Sequence, residues 1–350
     1  MRILHLLPTF HAGGAERMVL EFVRAQHELG HEVTVASAGG SWVERLEGAE
    51  HVTVPAFEAL LGRPVAAAIA MRKLVRSTQP QLVHAHIAGL GAMARVVAPL
   101  TTVFVTMHGG ILAPDYDRAA RLLRVSRVHT VAVSQVVEDE LRDRGLRGGR
   151  LHHIYNGATL QPADDQRITQ LATRLGISRE RPVLVGMGRL VEAKGFPTLV
   201  RTAALLGDVD LVIVGEGPER DDLERLGREL GVRLHLPGVI DDVSALLQLA
   251  TVVVATSIVE GASIAVLEAV SLGVACVVTP VCTHEELVEA GAVVVAPPDP
   301  ESFADALRPL LDSTEALQSL RDRSAAVAHR FSVTRMVEEY ESLGARLARS

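Results

Sequence analysis

Short unbroken runs of apolar residues recur along the chain, each followed by a stretch whose apolar positions fall three or four apart. In the first half the runs are 3–8, 33–36, 82–85, 103–107 and 130–133. Runs without polar alternation are the pattern of strands buried on both faces of a parallel sheet. Between the first two lies 15–29, where Met18, Phe22, Val23 and Leu29 share a helical face and Gly30 supplies a stop. The second half repeats the alternation, with strand-like runs at 182–187, 211–214, 234–236, 252–255, 275–279 and 293–296. This order predicts an α/β protein made of two doubly wound, Rossmann-like units in tandem, with a cleft between them. The turn-rich stretch 156–165 interrupts both periodicities, so the domains are expected at 1–162 and 163–330, with 331–350 reading as a final helix.

Composition narrows the function. The 350 residues are 48% hydrophobic and 22% charged, ample for two buried cores. A formal charge of −7 and only 1 Trp, 3 Tyr and 7 Phe provide neither a basic surface nor a stacking platform, so no nucleic-acid partner is expected. The charge is uneven: residues 1–165 carry 17 Arg and Lys against 16 Asp and Glu, residues 166–350 carry 18 against 26, and the halves should face different partners, or one partner from different sides. Arginine outnumbers lysine 33 to 2, which singles out Lys73 and Lys194. No apolar run is long enough to span a bilayer, and Met1 leads straight into a strand, so a cytoplasmic protein is expected. Cys276 and Cys282 lack paired metal-ligand spacing and read as buried, reduced thiols.

In doubly wound sheets ligands bind outside the carboxyl ends of the strands, so the loops that follow strands are read first. After the opening strand come Gly13 and Gly14, leading into a helix where backbone N–H groups could approach an anion. After the first strand of the second half, Arg189 and Lys194 place two cations suited to a diphosphate, one as a bidentate fork and one as a point charge. After strand 252–255, Glu260 lies in a loop and Glu268 about two turns into a helix that opens near Ser263. Carboxylates there offer acceptors to a diol, and N–H groups at 261–263 offer an anion site. The plainer alternative makes Glu260 a helix cap and Glu268 a solvated residue. His108 ends a strand before two glycines and is a site candidate. His84 and His86 share a strand face but lack a third metal ligand, so no metal site is expected.

Other patterns carry less. Gly186 and Gly188 lack the third glycine of a dinucleotide fingerprint, although Asp210 stands about where its ribose acid would be. Asp208 and Asp210 precede their strand and so fall at the wrong end of a sheet, while Asp115 and Asp117 leave a remote metal hypothesis. Arg118, Arg121, Arg124 and Arg127 recur every third residue, a solvated face or one that attracts an anionic membrane surface or a phosphorylated acceptor.

Taken in order, GGAER (13–17), HAH (84–86), TMHGG (106–110), VAVSQ (131–135), YNG (155–157), GRLVEAKGFPTLV (188–200), IVGEGPER (213–220) and EGASIAVLEA (260–269) resemble the retaining family-four glycosyltransferases. The last segment is similar to that family's E-x7-E signature, with Glu260 and Glu268 at its ends. The resemblance implies the GT-B architecture of two Rossmann-like domains and a tail helix crossing back to the first. It implies that Arg189 and Lys194 hold the donor diphosphate, Glu268 the ribose and Glu260 a sugar hydroxyl. Ala262, Ser263 and Ile264 would fix sugar and phosphate through backbone N–H groups. Gly14 would lie beside the phosphates, His108 near the transferring sugar, and Val239 in the loop that reads the base.

The chain departs from the family pattern at Ala262-Ser263, often Phe-Gly, and at Ala158-Thr159, often a hydrophobic-Asp pair. The stretch 285–295 is also shorter than usual and lacks a Gly-Leu turn. The function the resemblance implies is sugar transfer from a UDP- or GDP-sugar to a hydroxyl acceptor, a cell-envelope glycan or glycolipid. It implies retained configuration and no metal or other cofactor, and the arginine row leaves room for a peripheral contact with an anionic membrane. The alternatives are a glycosyltransferase for small natural products or thiol precursors, a non-catalytic nucleotide-sugar-binding protein, and a dinucleotide-dependent oxidoreductase.

Overall fold

The computed structural model describes residues 1–348 apart from Ala12, Ala59, Leu61, 110–112 and Arg179. Ala12 and Gly110 of the loops above thus lie outside the described residues. The chain forms two compact units, Met1–Gly157 with Val333–Ser350, and Ala158–Ser332.

The first unit holds β1 (Arg2–Leu6), β2 (Glu32–Ser37), β3 (Ala49–Thr53), β4 (Leu82–Ala85), β5 (Thr102–Met107), β6 (His129–Ala132) and β7 (Leu151–His153), all parallel, in the order β3-β2-β1-β4-β5-β6-β7. The second holds β8 (Val183–Met187), β9 (Asp210–Val214), β10 (Arg233–His235), β11 (Val252–Ala255), β12 (Cys276–Val278) and β13 (Val294–Val295), in the order β10-β9-β8-β11-β12-β13. In each sheet the winding direction reverses beside the first strand, between β1 and β4 and between β8 and β11. At those points neighbouring loops diverge and leave a crevice for a ligand.

Helices on the faces explain the apolar runs. In the second unit Phe196, Leu199, Phe303 and Leu307 pack with Leu184, Leu211 and Val252 in one fully buried cluster. Each such side chain contributes about 1.5–3 kcal/mol by leaving water. The sequence pattern does not predict β3 or β7. Both are edge strands, AEHVT and LHH, and are only half buried, so neither needs a continuous apolar run.

The boundaries also differ from the expected 162 and 330. Residues 158–163 belong to the second unit because their backbone is tied there: Ala158 N–H donates to Phe331 O (2.8 Å), Leu160 N–H to Ser271 Oγ (3.3 Å) and Ala163 N–H to Gln248 Oε1 (2.5 Å). At the other end Phe331 is buried in the second unit, and the tail helix Val333–Ala348 lies in the first. There Tyr340, 3% exposed, meets Phe22 edge to face at 4.7 Å, and its hydroxyl stands 2.8 Å from Thr106 Oγ1. Among the described residues no helix is long and apolar enough to cross a membrane.

Tyr340 is the apolar anchor of the tail helix, so Tyr340→Ala should lower stability by about 3–5 kcal/mol through the cavity it leaves. Tyr340→Phe, which loses one buried hydrogen bond, should cost about 1 kcal/mol. Urea unfolding midpoints measure both, and equal small losses would contradict this anchoring.

Candidate active site

The loops at the carboxyl ends of β8 and β11 are stitched together by the backbone. Ile258 N–H donates to Ala193 O (2.8 Å), and Thr256 Oγ1–H donates to Lys194 O (3.1 Å). Gly195 has φ +62°, and a Cβ there would stand 2.3 Å from Thr256 O, so only glycine permits this approach. The short 3-10 turn Glu192–Lys194 is thereby fixed against the loop that carries Glu260.

The result brings together two residues 66 apart in the chain: Lys194 Nζ donates directly to Glu260 Oε2. Ser257 Oγ lies 3.4 Å from the same carboxylate oxygen. The ammonium keeps two further N–H donors for a ligand. Arg189, in the same loop as Lys194, is exposed and has no ion pair among the described residues.

Beside them the helix Ile264–Ser271 begins. Its N-cap is Ser263, but no side chain caps it and its first turn holds no acid. Glu260 is therefore not its cap; it pairs with Lys194 instead. The unpaired N–H groups and the positive end of the helix dipole are left for an anion. Glu268 is the fifth residue of this helix, little more than one turn in rather than two, and is 6% exposed, so it is not a solvated residue. Ala262 and Ser263 are buried, with the half-buried Ile264 next in the chain.

The loops after β8 and β9 also lock together. Gly188 N–H donates to Val214 O (2.9 Å) and Leu190 N–H to Glu216 O (2.9 Å), while Gly215, at φ +141°, allows no Cβ because one would fall 1.9 Å from Gly188 O. Gly215 N–H donates to Gly238 O (2.9 Å), which ties in the loop where Val239 stands 56% exposed.

The first expected anion site is different. Gly14 opens the helix Gly14–Glu28 with Gly13 as N-cap, and the carboxylate of Glu16 folds back against Gly13, where a Cβ would meet it at 2.3 Å. A phosphate at this helix end would face that carboxylate, unlike one at Ile264. Asp210 opens β9 at its amino end and is bound by Arg181 (3.0 Å) and His235 (3.1 Å), which explains why it is structural and not a ribose ligand. Asp115 and Asp117 pair with Arg118 (3.7 Å) and Arg144 (2.8 Å), and Arg118, Arg121, Arg124 and Arg127 are all exposed. Cys276 and Cys282 are free and buried, and burial pushes the Cys276 thiol up to about 12.

His108 follows β5 in the first unit and is half buried. Its Nε2 is 3.0 Å from His86 Nδ1. Sequence reasoning missed His5, which pairs in register with His84 and brings a third buried histidine beside His84 and His86. The readable signal was a polar residue in the middle of the apolar run 3–8. Burial holds the His5 and His108 rings down at about 4 and pushes His84 and His86 well below the ordinary 6.5.

Known proteins give this geometry its name. The model of the family described as Glycosyltransferase Family 4 matches residues 12–161, and that of Glycosyl transferases group 1 matches 168–327. The chain belongs to the family-four glycosyltransferases. Lipopolysaccharide core biosynthesis glycosyltransferase LpsE of Rhizobium meliloti is 28% identical to this glycosyltransferase over 334 residues, 91% of this chain and 90% of that protein. N-acetyl-alpha-D-glucosaminyl L-malate synthase of Bacillus anthracis is 24% identical over 358 residues, 95% and 93% of the two. Anabaena HepE, solved with UDP and glucose, superposes with a TM-score of 0.85 at 22% identity over 99% of this chain and 100% of that one. The fold of this glycosyltransferase is thus GT-B, and the dinucleotide-dependent oxidoreductase alternative falls.

The buried histidines set a pH dependence. The folded protein favours the neutral His5 ring at about 4, whereas the unfolded chain takes up its proton near 6.5, so the contribution of His5 is full above pH 6.5 and is lost as pH falls towards 4. Each such ring adds a slope of about 1.4 kcal/mol per pH unit inside that window. Urea midpoints should fall steadily from neutral pH to about pH 5, and a flat profile would contradict the assignment.

Proposed function

We propose that this glycosyltransferase moves a sugar, with retention, from a UDP- or GDP-sugar to a hydroxyl of a cell-envelope glycan or glycolipid, without a metal ion. The observation that carries the reading is the gathering of Arg189, Lys194 and an uncapped helix N-terminus at the carboxyl ends of β8 and β11. As the anomeric bond to the diphosphate breaks, charge grows on the leaving oxygen, and fixed cations and N–H dipoles stabilise it without reorganising. They supply the positive charge that a divalent ion would otherwise bring, which supports metal independence. The Lys194–Glu260 pair orients the ammonium, and Glu260 keeps an oxygen for a sugar hydroxyl. Glu268 is assigned to the ribose, Val239 and its neighbours to the base, Ala262, Ser263 and Ile264 to sugar and phosphate, and His108 to the transferring sugar, while Gly14, whose helix end faces the Glu16 carboxylate, is given no phosphate. Retention follows from attack on the face the diphosphate leaves, with the leaving phosphate accepting the proton.

The acceptor class is supported by relatives named for lipopolysaccharide core biosynthesis and for galactosyl transfer to GlcNAc-diphosphoundecaprenol. A surface of the first unit supports peripheral contact with an anionic membrane. Three helices packed side by side, Pro64–Thr78, Ala88–Val97 and Ala113–Ser126, carry Arg72, Lys73, Arg76, Arg95, Arg118, Arg121 and Arg124 against Asp115 and Asp117 alone. Val65, Ile69, Val96 and Val125 are at least 68% exposed among them, a mixture suited to an interface of phosphate headgroups and acyl chains.

Calorimetry with UDP and GDP, with and without EDTA, tests the donor reading: one nucleotide should bind, binding should survive EDTA, and Lys194→Ala should weaken it. Turnover should drop about a hundredfold or more in Lys194→Ala and in Arg189→Ala with the fold intact, and unchanged turnover in both would sink the diphosphate assignment. Glu268→Ala should act mainly by raising the donor KM. Vesicle sedimentation tests the surface: binding to anionic vesicles should weaken with salt and vanish when Arg118, Arg121, Arg124 and Arg127 become Ser. Salt-independent binding, or none by the parent protein, ends that part of the proposal.

A further inference from the structure

Gln26, His5 and His86 of the first unit stand in a line that ends at His108, and sugar transfer as described above uses only the last. Pleating puts His84 and His86 on one side of the chain, and His5 faces the same way from the paired position on β1. Gln26 comes from the helix Gly14–Glu28 packed over them. His5, His86 and Gln26 are 0%, 3% and 2% exposed. The contacts are continuous: Gln26 Oε1 is 2.8 Å from His5 Nε2, His5 Nδ1 is 3.1 Å from His86 Nε2, and His86 Nδ1 is 3.0 Å from His108 Nε2.

A neutral imidazole carries one N–H and one lone pair. His5 and His86 each use both ring nitrogens in the line, so each passes on whatever polarity it receives. The Gln26 carbonyl oxygen accepts only, so His5 Nε2 must donate to it. His5 Nδ1 then accepts from His86 Nε2–H, and His86 Nδ1 from His108 Nε2–H. We propose that Gln26 is a positioning residue which, through His5 and His86, holds His108 in the Nε2–H tautomer with a bare lone pair on Nδ1. Burial keeps the rings neutral, so that each has one N–H and one lone pair to pass on: His5 and His108 are held down at about 4 and His86 well below 6.5. Among the described residues His108 Nδ1 has no hydrogen-bond partner. Resting on the assignment of His108 to the transferring sugar, the consequence is that His108 accepts a hydrogen bond from a sugar hydroxyl and donates none to the sugar.

Long-range 1H–15N correlation spectra of the full chain labelled with 15N-histidine read the tautomers directly. At neutral pH His5, His86 and His108 should each show a protonated Nε2 and an unprotonated Nδ1. Gln26→Met, similar in size but without the acceptor, should shift His108 largely to the Nδ1–H tautomer and lower turnover about tenfold, the worth of one hydrogen bond of the wrong polarity. Gln26→Glu, which restores an acceptor, should recover the parent tautomer and much of the lost turnover. A parent His108 protonated at Nδ1, or a tautomer unmoved in Gln26→Met, overturns the proposal. So does a Zn2+ ion found bound at His5, His84 and His86, whose ligand atoms lie within 4.8 Å of one another, since it would take the lone pairs the line depends on. If His108→Ala leaves turnover unchanged, the sugar assignment fails while the spectra still decide the tautomer. If His108→Ala abolishes turnover and the parent spectra show Nδ1–H, the assignment stands and this proposal fails.

Discussion

Backbone hydrogen bonds from the loop after β11 to the turn after β8 are the constraint on which the site depends. Neighbouring parallel strands aim their following loops at the same end of the sheet, but they do not by themselves bring two side chains into contact. Here Ile258 and Thr256 bind the backbone of Ala193 and Lys194, and Gly195 lets the two chains come close enough for it. The Lys194–Glu260 pair is a consequence of that stitching, and so is the position of the helix that starts at Ile264. A side chain on Gly195 would strike Thr256 O and part the loops, undoing a charge arrangement that no surface ion pair could hold alone.

The two units handle polar groups in opposite ways. In the second, Lys194 and Glu260 pair in a partly exposed position beside an uncapped helix N-terminus, whose dipole adds to their field. In the first, histidines are enclosed among Phe22, Phe104 and Tyr340, where the cost of burying charge keeps them neutral and makes hydrogen-bond direction, not charge, the property they transmit. A diphosphate needs fixed positive charge. A sugar hydroxyl needs a correctly directed acceptor, and a charged imidazole would lose that lone pair. The tail helix contributes to this interior through Tyr340, which stacks on His84 and bonds Thr106 beside the polar line.

The alternation of apolar runs and helical spacings determined the fold class, the number of units and most of the strands, because a parallel sheet covered on both faces leaves its strands no polar positions. It missed β3 and β7, whose exposure at the sheet edges removes that demand. Arg189, Lys194, Glu260 and Glu268 were legible as residues in loops after strands and at the head of a helix, and their order along the chain was legible as a family pattern. The pairing of Lys194 with Glu260, the folding of the Glu16 carboxylate back against Gly13, and the tying of 158–163 to the second unit were not. Each depends on contacts between segments brought together only when the sheet is wound. His5 shows the same limit most plainly: a lone histidine in an apolar run has no partner in sequence, and only the register of β1 with β4 and the helix laid over them give it one at each ring nitrogen.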